Sequence, residues 1–238
     1  MLVDGTVRRR TRSWTATVHH LLEHLEKRAF RGAPRALGTD AQGREVLTFL
    51  QGATVGSSKP WPAWTHSSDA LVDVGRWLRA YHRAIADYVP PDSATWREGG
   101  TWEPGMIIGH GDPAPYNAVW NADGLVRFFD WDNAGPSTRE DDVAWVAFAW
   151  TPLHAREVVE REGFTACTQR RARLEVLLTA YGWEGATDEV IRLVDDRLLR
   201  QIEAMRATAE RGDPAFTAML HRGQDLSLEA ARQGLADL

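Results

Sequence analysis

The sequence predicts an α+β fold, in which a small β-containing N-terminal part precedes a larger, mainly helical part. Three observations predict it. The run Val46-Leu47-Thr48-Phe49-Leu50 is β-branched and aromatic, ends at Gln51-Gly52, and reads as a strand. Beyond Pro136 the apolar residues recur almost throughout at helical spacing. Between these regions, short apolar runs at 106–108, 118–120 and 126–129 suit strands flanking a polar loop.

Taken in order, residues 2–9 suit a short strand. Ser13 or Thr15 suits the cap of a helix running to about residue 27, with Val18, Leu21, Leu22 and Leu25 as its buried stripe. Gly32-Ala33-Pro34 breaks the chain, and a hairpin follows from 35–38 to 45–50 through a turn at 40–43. Residues 53–66, with Gly56, Pro60 and Pro62, read as an irregular loop. Ser67 or Ser68 caps a helix that carries Leu71, Val74, Leu78, Tyr81, Ile85 and Tyr88 on one face, stopped by Pro90-Pro91. Further helices are expected near 139–150, 154–162, 167–181, 187–211, 214–222 and 225–235, with Asp213-Pro214 as a strong start signal. The expected division is a reduced N-terminal lobe over 1–52 and a helical C-terminal lobe over 53–238.

Length and composition narrow the function. At 238 residues the chain buries a core large enough to need no disulfide or metal staple. Its net charge of -5, from 28 basic and 33 acidic residues, argues against a nucleic-acid binder. The run Arg8-Arg9-Arg10-Thr11-Arg12 reads as a solvated strand edge. No apolar stretch is long enough for a membrane helix, and no signal peptide is evident, so the cytoplasm is expected. Cys167 stands alone, which excludes an internal disulfide and a multi-cysteine zinc site.

The chemistry lies in Gly109-His110-Gly111-Asp112-Pro113-Ala114-Pro115-Tyr116-Asn117, followed by Phe129-Asp130-Trp131-Asp132. Asp112 and Asn117 are five residues apart in a proline-stiffened loop, and Asp130 leaves the end of an apolar strand. A carboxylate and an amide oxygen are hard ligands that suit Mg²⁺ alongside substrate phosphates. A second carboxylate can accept the proton of a substrate hydroxyl. Each residue alone is more often a turn former or cap. Together their order matches the catalytic-loop template of phosphoryl transfer.

These motifs, with Asp141-Asp142, closely resemble the aminoglycoside phosphotransferase family, a kinase-like group also similar to choline kinases. The resemblance spans most of the chain and is strongest from 106 to 153. It implies a protein-kinase-like fold with a truncated N-terminal lobe and Mg²⁺-dependent transfer of the γ-phosphate of ATP or GTP to a small molecule's hydroxyl. It implies Asp112 as catalytic base and Asn117 and Asp130 as Mg²⁺ ligands. It also implies His110 as a brace of the loop, Asp142 as an acceptor of backbone N–H bonds from it, and an interlobe hinge where the backbone of Thr48 and Leu50 would meet the adenine edge.

Two family features are altered. Only a few residues precede Val7, so no glycine-loop hairpin fits over the phosphates. The third-strand lysine position is filled by arginine, with Arg8 and Arg9 as candidates, and Arg8 is assigned here to nucleotide binding beside Thr48 and Leu50. The matching glutamate position falls near Thr17 or Val18, which cannot form the usual ion pair. Trp131, Asp132, Asp141, Trp145 and Trp150 are candidate walls of an acceptor pocket. Acidic and aromatic walls would suit a cationic or sugar-like acceptor. Apolar surface left by a shortened lobe favours a homodimer. The alternatives are a catalytically impaired kinase-like binding protein and a metal-dependent hydrolase built on His110, Asp112, Asp130 and Asp132.

Overall fold

The N-terminal sheet of the computed structural model is four-stranded, in the order β1-β2-β4-β3. The described residues are 1–56, 59–236 and 238, so Ser57 and Ser58 of the expected loop lie outside them. The strands are β1 (Leu2–Val3), β2 (Thr6–Arg10), β3 (Ala36–Thr39) and β4 (Arg44–Thr48), all paired antiparallel. The single strand expected at 2–9 is thus two strands. Asp4 and Gly5 take φ values of 47° and 71° and turn the chain between them, a conformation that Gly and Asp tolerate best. The Asp40 carboxylate fixes the next hairpin by accepting from the N–H groups of Gln42 and Arg44, both at 3.0 Å.

Helix α1 (Thr15–Lys27) buries Val18, Leu21, Leu22 and Leu25 as predicted. Neither expected cap is used. Trp14 occupies the cap position without a side-chain bond, and Thr15 Oγ1 accepts from the Arg12 N–H instead. Helix α2 (Ser68–Ala84) is capped by Ser67, whose hydroxyl accepts from Ala70 N at 3.1 Å. It ends at Ala84, before the predicted stop. The next residues turn to reach α1, where the Tyr88 hydroxyl meets His20 at 2.9 Å. Ile85 and Tyr88 stay buried, so the apolar face survives the end of the helix.

Two short hairpin-like pairs follow. Strand β5 (Ile107–Gly109) pairs with β8 (Gly135–Ser137), and β6 (Ala118–Asn121) pairs with β7 (Gly124–Phe128). The sequence Gly-Pro-Ser carries no strand signal, and β8 forms only because β5 offers it an edge. The remaining helices are α3 (Arg139–Trp150), α4 (Arg156–Arg161), α5 (Arg170–Tyr181), α6 (Thr187–Glu210), α7 (Pro214–His221) and α8 (Gln224–Leu235). Thr138 caps α3, and Asp213 caps α7 through bonds from Ala215 and Phe216.

One continuous core runs from α1 through α2, α3, α5 and α6 to α8. Gly75 lets α2 lie against α5, since a Cβ there would meet the Leu177 carbonyl at 2.6 Å. Trp77, Tyr81, Phe128 and Trp131 interlock at the centre, directly beneath the polar loop. Among the described residues no helix is long and apolar enough to cross a membrane.

Candidate active site

The polar loop leaves β5 at Gly109 and reaches β6 at Ala118, so both ends are held by strands. Gly111 is required at its bend. Its φ is +81°, and a Cβ would lie 1.9 Å from the Asn133 carbonyl oxygen. His110 is fully buried, with its ring 4.3 Å from that of Trp131. Burial lowers its pKa to about 4, so the ring is neutral at pH 7. Its Nδ1 accepts from the Asp112 N–H at 3.3 Å, which makes it a brace for the loop.

Asp112 is held at both oxygens. Asn117 Nδ2 donates to its Oδ2 and to its backbone carbonyl, each at 2.9 Å. The Tyr116 hydroxyl donates to Oδ1 at 2.9 Å. Burial raises the Asp112 pKa, the bonds from Tyr116 and Asn117 oppose that rise, and the nearby Asp130 charge adds to it. A raised pKa increases the proton affinity of this carboxylate, a property that suits a general base.

Asp130 follows β7. The Phe129 N–H donates to the Asn117 carbonyl at 2.9 Å, which brings Asp130 beside the loop. Asp130 sits in the left-handed region at φ 59°, and its side chain is 44% exposed. A non-glycine residue held there marks a segment whose surroundings dictate its backbone.

Arg9 reaches this acid from the sheet. Its Nη1 lies 3.1 Å from Asp130 Oδ1 and its Nη2 2.6 Å from Asp132 Oδ1. Its Nε lies 2.5 Å from Glu45 Oε1. Glu45 is only 2% exposed and also meets His19 Nε2 of α1 at 3.2 Å. Although burial opposes its charge, Arg9 has a raised pKa because Glu45, Asp132 and Asp130 surround it. One cation therefore joins the sheet, the acid that α1 contacts, and the segment after β7.

The other expected residues take the following places. Arg8 points to the other face of β2, 3.5 Å from Asp40, because neighbouring strand residues alternate sides. Arg9 is the arginine that approaches the acids. Thr48 ends β4, with its N–H and hydroxyl both engaged by Arg35, and Leu50 is buried just beyond. Asp142 does not accept from the loop. It is 3% exposed and bonds His82 Nε2 of α2 at 3.0 Å. Trp131 and Trp150 are each 1% exposed and belong to the core, so neither walls a pocket. Asp141 is neutralised by Arg197 and Arg200, and Trp145 lies under Arg197 at 4.7 Å.

Sequence reasoning missed Glu45, His19, Tyr116 and Trp61. Glu45 had a signal, since an acid inside an apolar strand run needs a buried partner. Tyr116 had none beyond its place in the loop.

The donor set suits a magnesium nucleotide. With Nδ2 committed to Asp112, the Asn117 amide oxygen is the atom to offer a cation, and Asp130 adds a carboxylate. Among the described residues no group of three His, Cys, Asp or Glu side chains could hold a metal unaided.

The arrangement of sheet, linking segment and helical lobe is a kinase-like phosphotransferase fold. Aminoglycoside 2'-phosphotransferase-IIIa, solved as its GDP complex, superposes with a TM-score of 0.55 at 14% identity, covering 94% of this chain and 82% of its own. A choline/ethanolamine kinase family protein from Mesorhizobium loti gives a TM-score of 0.59 at 16% identity, covering 98% and 86%. No protein-family profile matches the chain. In sequence, the trifolitoxin immunity protein of Rhizobium leguminosarum bv. trifolii is 32% identical over 222 residues, which is 88% of this chain and 82% of that protein. The chain belongs to the family of that immunity protein, and it shares its fold with the aminoglycoside phosphotransferase and the choline/ethanolamine kinase family protein.

Proposed function

We propose that the protein transfers the γ-phosphate of ATP or GTP to a hydroxyl of a small molecule, with Asp112 as the base. The observation that carries this reading is the direct contact of Asp112 with Asn117, with Asp130 drawn alongside through Phe129 and Asn117. A loop with only a structural task has no need to gather these three groups in one place.

Asp112 would orient the acceptor hydroxyl toward the γ-phosphorus and take its proton as the new O–P bond forms and the bond to the β-phosphate breaks. Mg²⁺, when bound, would neutralise the phosphate oxygens between Asn117 and Asp130. Arg9 lies within reach of the same region and would meet phosphate charge, with Glu45 steadying its Nε side. The backbone near Thr48 and Leu50 would hold the base. We place the reaction in the cytoplasm, where the nucleotide is abundant.

The relative's name indicates immunity to a toxin, and we infer that the acceptor here is a toxic compound disarmed by its new phosphate. A phosphate adds about 1.5 to 2 negative charges at pH 7, enough to spoil binding to many targets. The second reading is a kinase-like protein that binds such a compound without modifying it. Arg9 on both Asp130 and Asp132 favours that reading, because it occupies the expected metal ligand.

Thermal melts with Mg²⁺ and ATP or GTP, followed by phosphate transfer assays against hydroxylated antibiotics and peptides, test the two readings. Mg²⁺-dependent stabilisation with transfer supports the first. Stabilisation by an acceptor alone, with no effect of nucleotide, supports the second.

A further inference from the structure

We propose that Tyr116 guards the catalytic base: its hydroxyl holds the acceptor's place on Asp112 and shields the nucleotide from water until the acceptor arrives. This rests on the phosphotransfer reading above.

The geometry is direct. The Tyr116 hydroxyl donates to Asp112 Oδ1 at 2.9 Å, and Asn117 takes Oδ2. An acceptor hydroxyl, or an attacking water, needs the same Oδ1 lone pairs to lose its proton. Tyr116 itself is 45% exposed, so its ring can leave without disturbing the core. The ring faces Trp61 at 6.4 Å between centroids. Trp61 is anchored by its N–H to the Glu162 carbonyl at 2.9 Å, and it stacks on His66. Lys59 lies 4.9 Å over Trp61, and its charge is answered by Glu162. An acceptor displacing Tyr116 would therefore meet aromatic faces and a balanced ion pair. That setting suits a planar, uncharged group next to the reacting hydroxyl rather than the polycationic acceptor that acidic walls would select.

Without the guard, Asp112 can take a proton from water while the water oxygen bonds to the γ-phosphorus. The bond to the β-phosphate oxygen then breaks, and the products are nucleoside diphosphate and phosphate. The decisive experiment measures hydrolysis of Mg-ATP and Mg-GTP without any acceptor, on wild type, Tyr116→Phe and Tyr116→Phe/Asp112→Asn. The phenylalanine keeps the ring and removes only the hydroxyl. Tyr116→Phe should raise hydrolysis about tenfold, the factor that one hydrogen bond to a charged group typically carries. Asp112→Asn should abolish the gain. Trp61→Ala, which loosens the ring but keeps the hydroxyl, should give a smaller rise.

Unchanged or slower hydrolysis in Tyr116→Phe, with nucleotide binding intact, overturns the guard and leaves the phosphotransfer reading standing. A gain that survives Asp112→Asn also overturns it. Phosphate found on Tyr116 by mass spectrometry would make that residue an acceptor, not a guard. If wild type shows no Mg²⁺-dependent nucleotide binding, the phosphotransfer reading itself falls, and the guard with it.

Discussion

Arg9 and Glu45 stand directly opposite each other on β2 and β4, with Arg9 Nε 2.5 Å from Glu45 Oε1. The rest of the guanidinium spans to Asp130 and Asp132, more than a hundred residues away in sequence. In the kinase template the phosphate-binding cation is a lysine paired with a glutamate on the following helix. In this sheet the ion pair is an arginine with a buried acid from the facing strand, and the helix contributes His19 to that acid.

Removing Arg9 should expose the cost of that arrangement. Glu45 is 2% exposed, and a buried carboxylate stripped of its cation typically costs about 3–5 kcal/mol. Arg9→Met should lower stability in urea unfolding by roughly 3 kcal/mol, and Arg9→Met/Glu45→Met should recover most of it. Equal stability of Arg9→Met and wild type would mean that Glu45 does not depend on Arg9.

Asp112→Asn should keep the loop, since the amide oxygen can still accept from Asn117. Transfer should fall by roughly 10²–10⁴, the usual worth of a positioned general base. Nucleotide-dependent stabilisation should persist in a thermal melt. Loss of fold in this variant would instead make Asp112 structural.

Asp130→Ala should separate metal-dependent nucleotide binding from the rest. A nucleotide at 100 times its Kd stabilises by about 2.7 kcal/mol, or roughly 5–10 °C for a chain this long. That shift should need Mg²⁺ in wild type and vanish in Asp130→Ala. A shift of the same size in the variant would remove Asp130 from the metal site.

Acid should weaken the fold through two neutral histidines. Burial lowers the pKa of His110 to about 4 and that of His154 to about 4, with Lys59 and Arg170 adding to the effect at His154. An unfolded histidine titrates near 6.5, so between that pH and about 4 the unfolded chain binds more protons. Stability is therefore full above pH 6.5 and declines as pH falls, by about 2 kcal/mol per histidine at pH 5. Asp112, with its raised pKa, works the opposite way at lower pH and offsets part of the loss. Urea unfolding at pH 7 and pH 5 measures the difference, and His154→Gln should remove about half of it.

Much of the fold was legible because its signals are local. The stripe Val18, Leu21, Leu22 and Leu25 names its own helix, and Asp213-Pro214 names the start of α7. The turn at Asp40 was readable for the same reason. By contrast, β8 exists only through its neighbour β5, and the end of α2 is set by contacts to α1. No local pattern encodes either.

The sequence by itself determined the loop from His110 to Asn117 and the acid at Asp130, because their spacing is short and the chain between is stiffened by prolines and strands. Tertiary structure decided which arginine faces the acids, since a strand side is settled only when its sheet packs. It decided that Trp131 and Trp150 serve the core, since burial is a property of the surrounding helices. It also decided that Glu45 and His19 steady Arg9 and that Tyr116 covers Asp112. Those contacts depend on where distant segments come to rest, and a residue's neighbours in space are fixed by the summed packing of the whole chain.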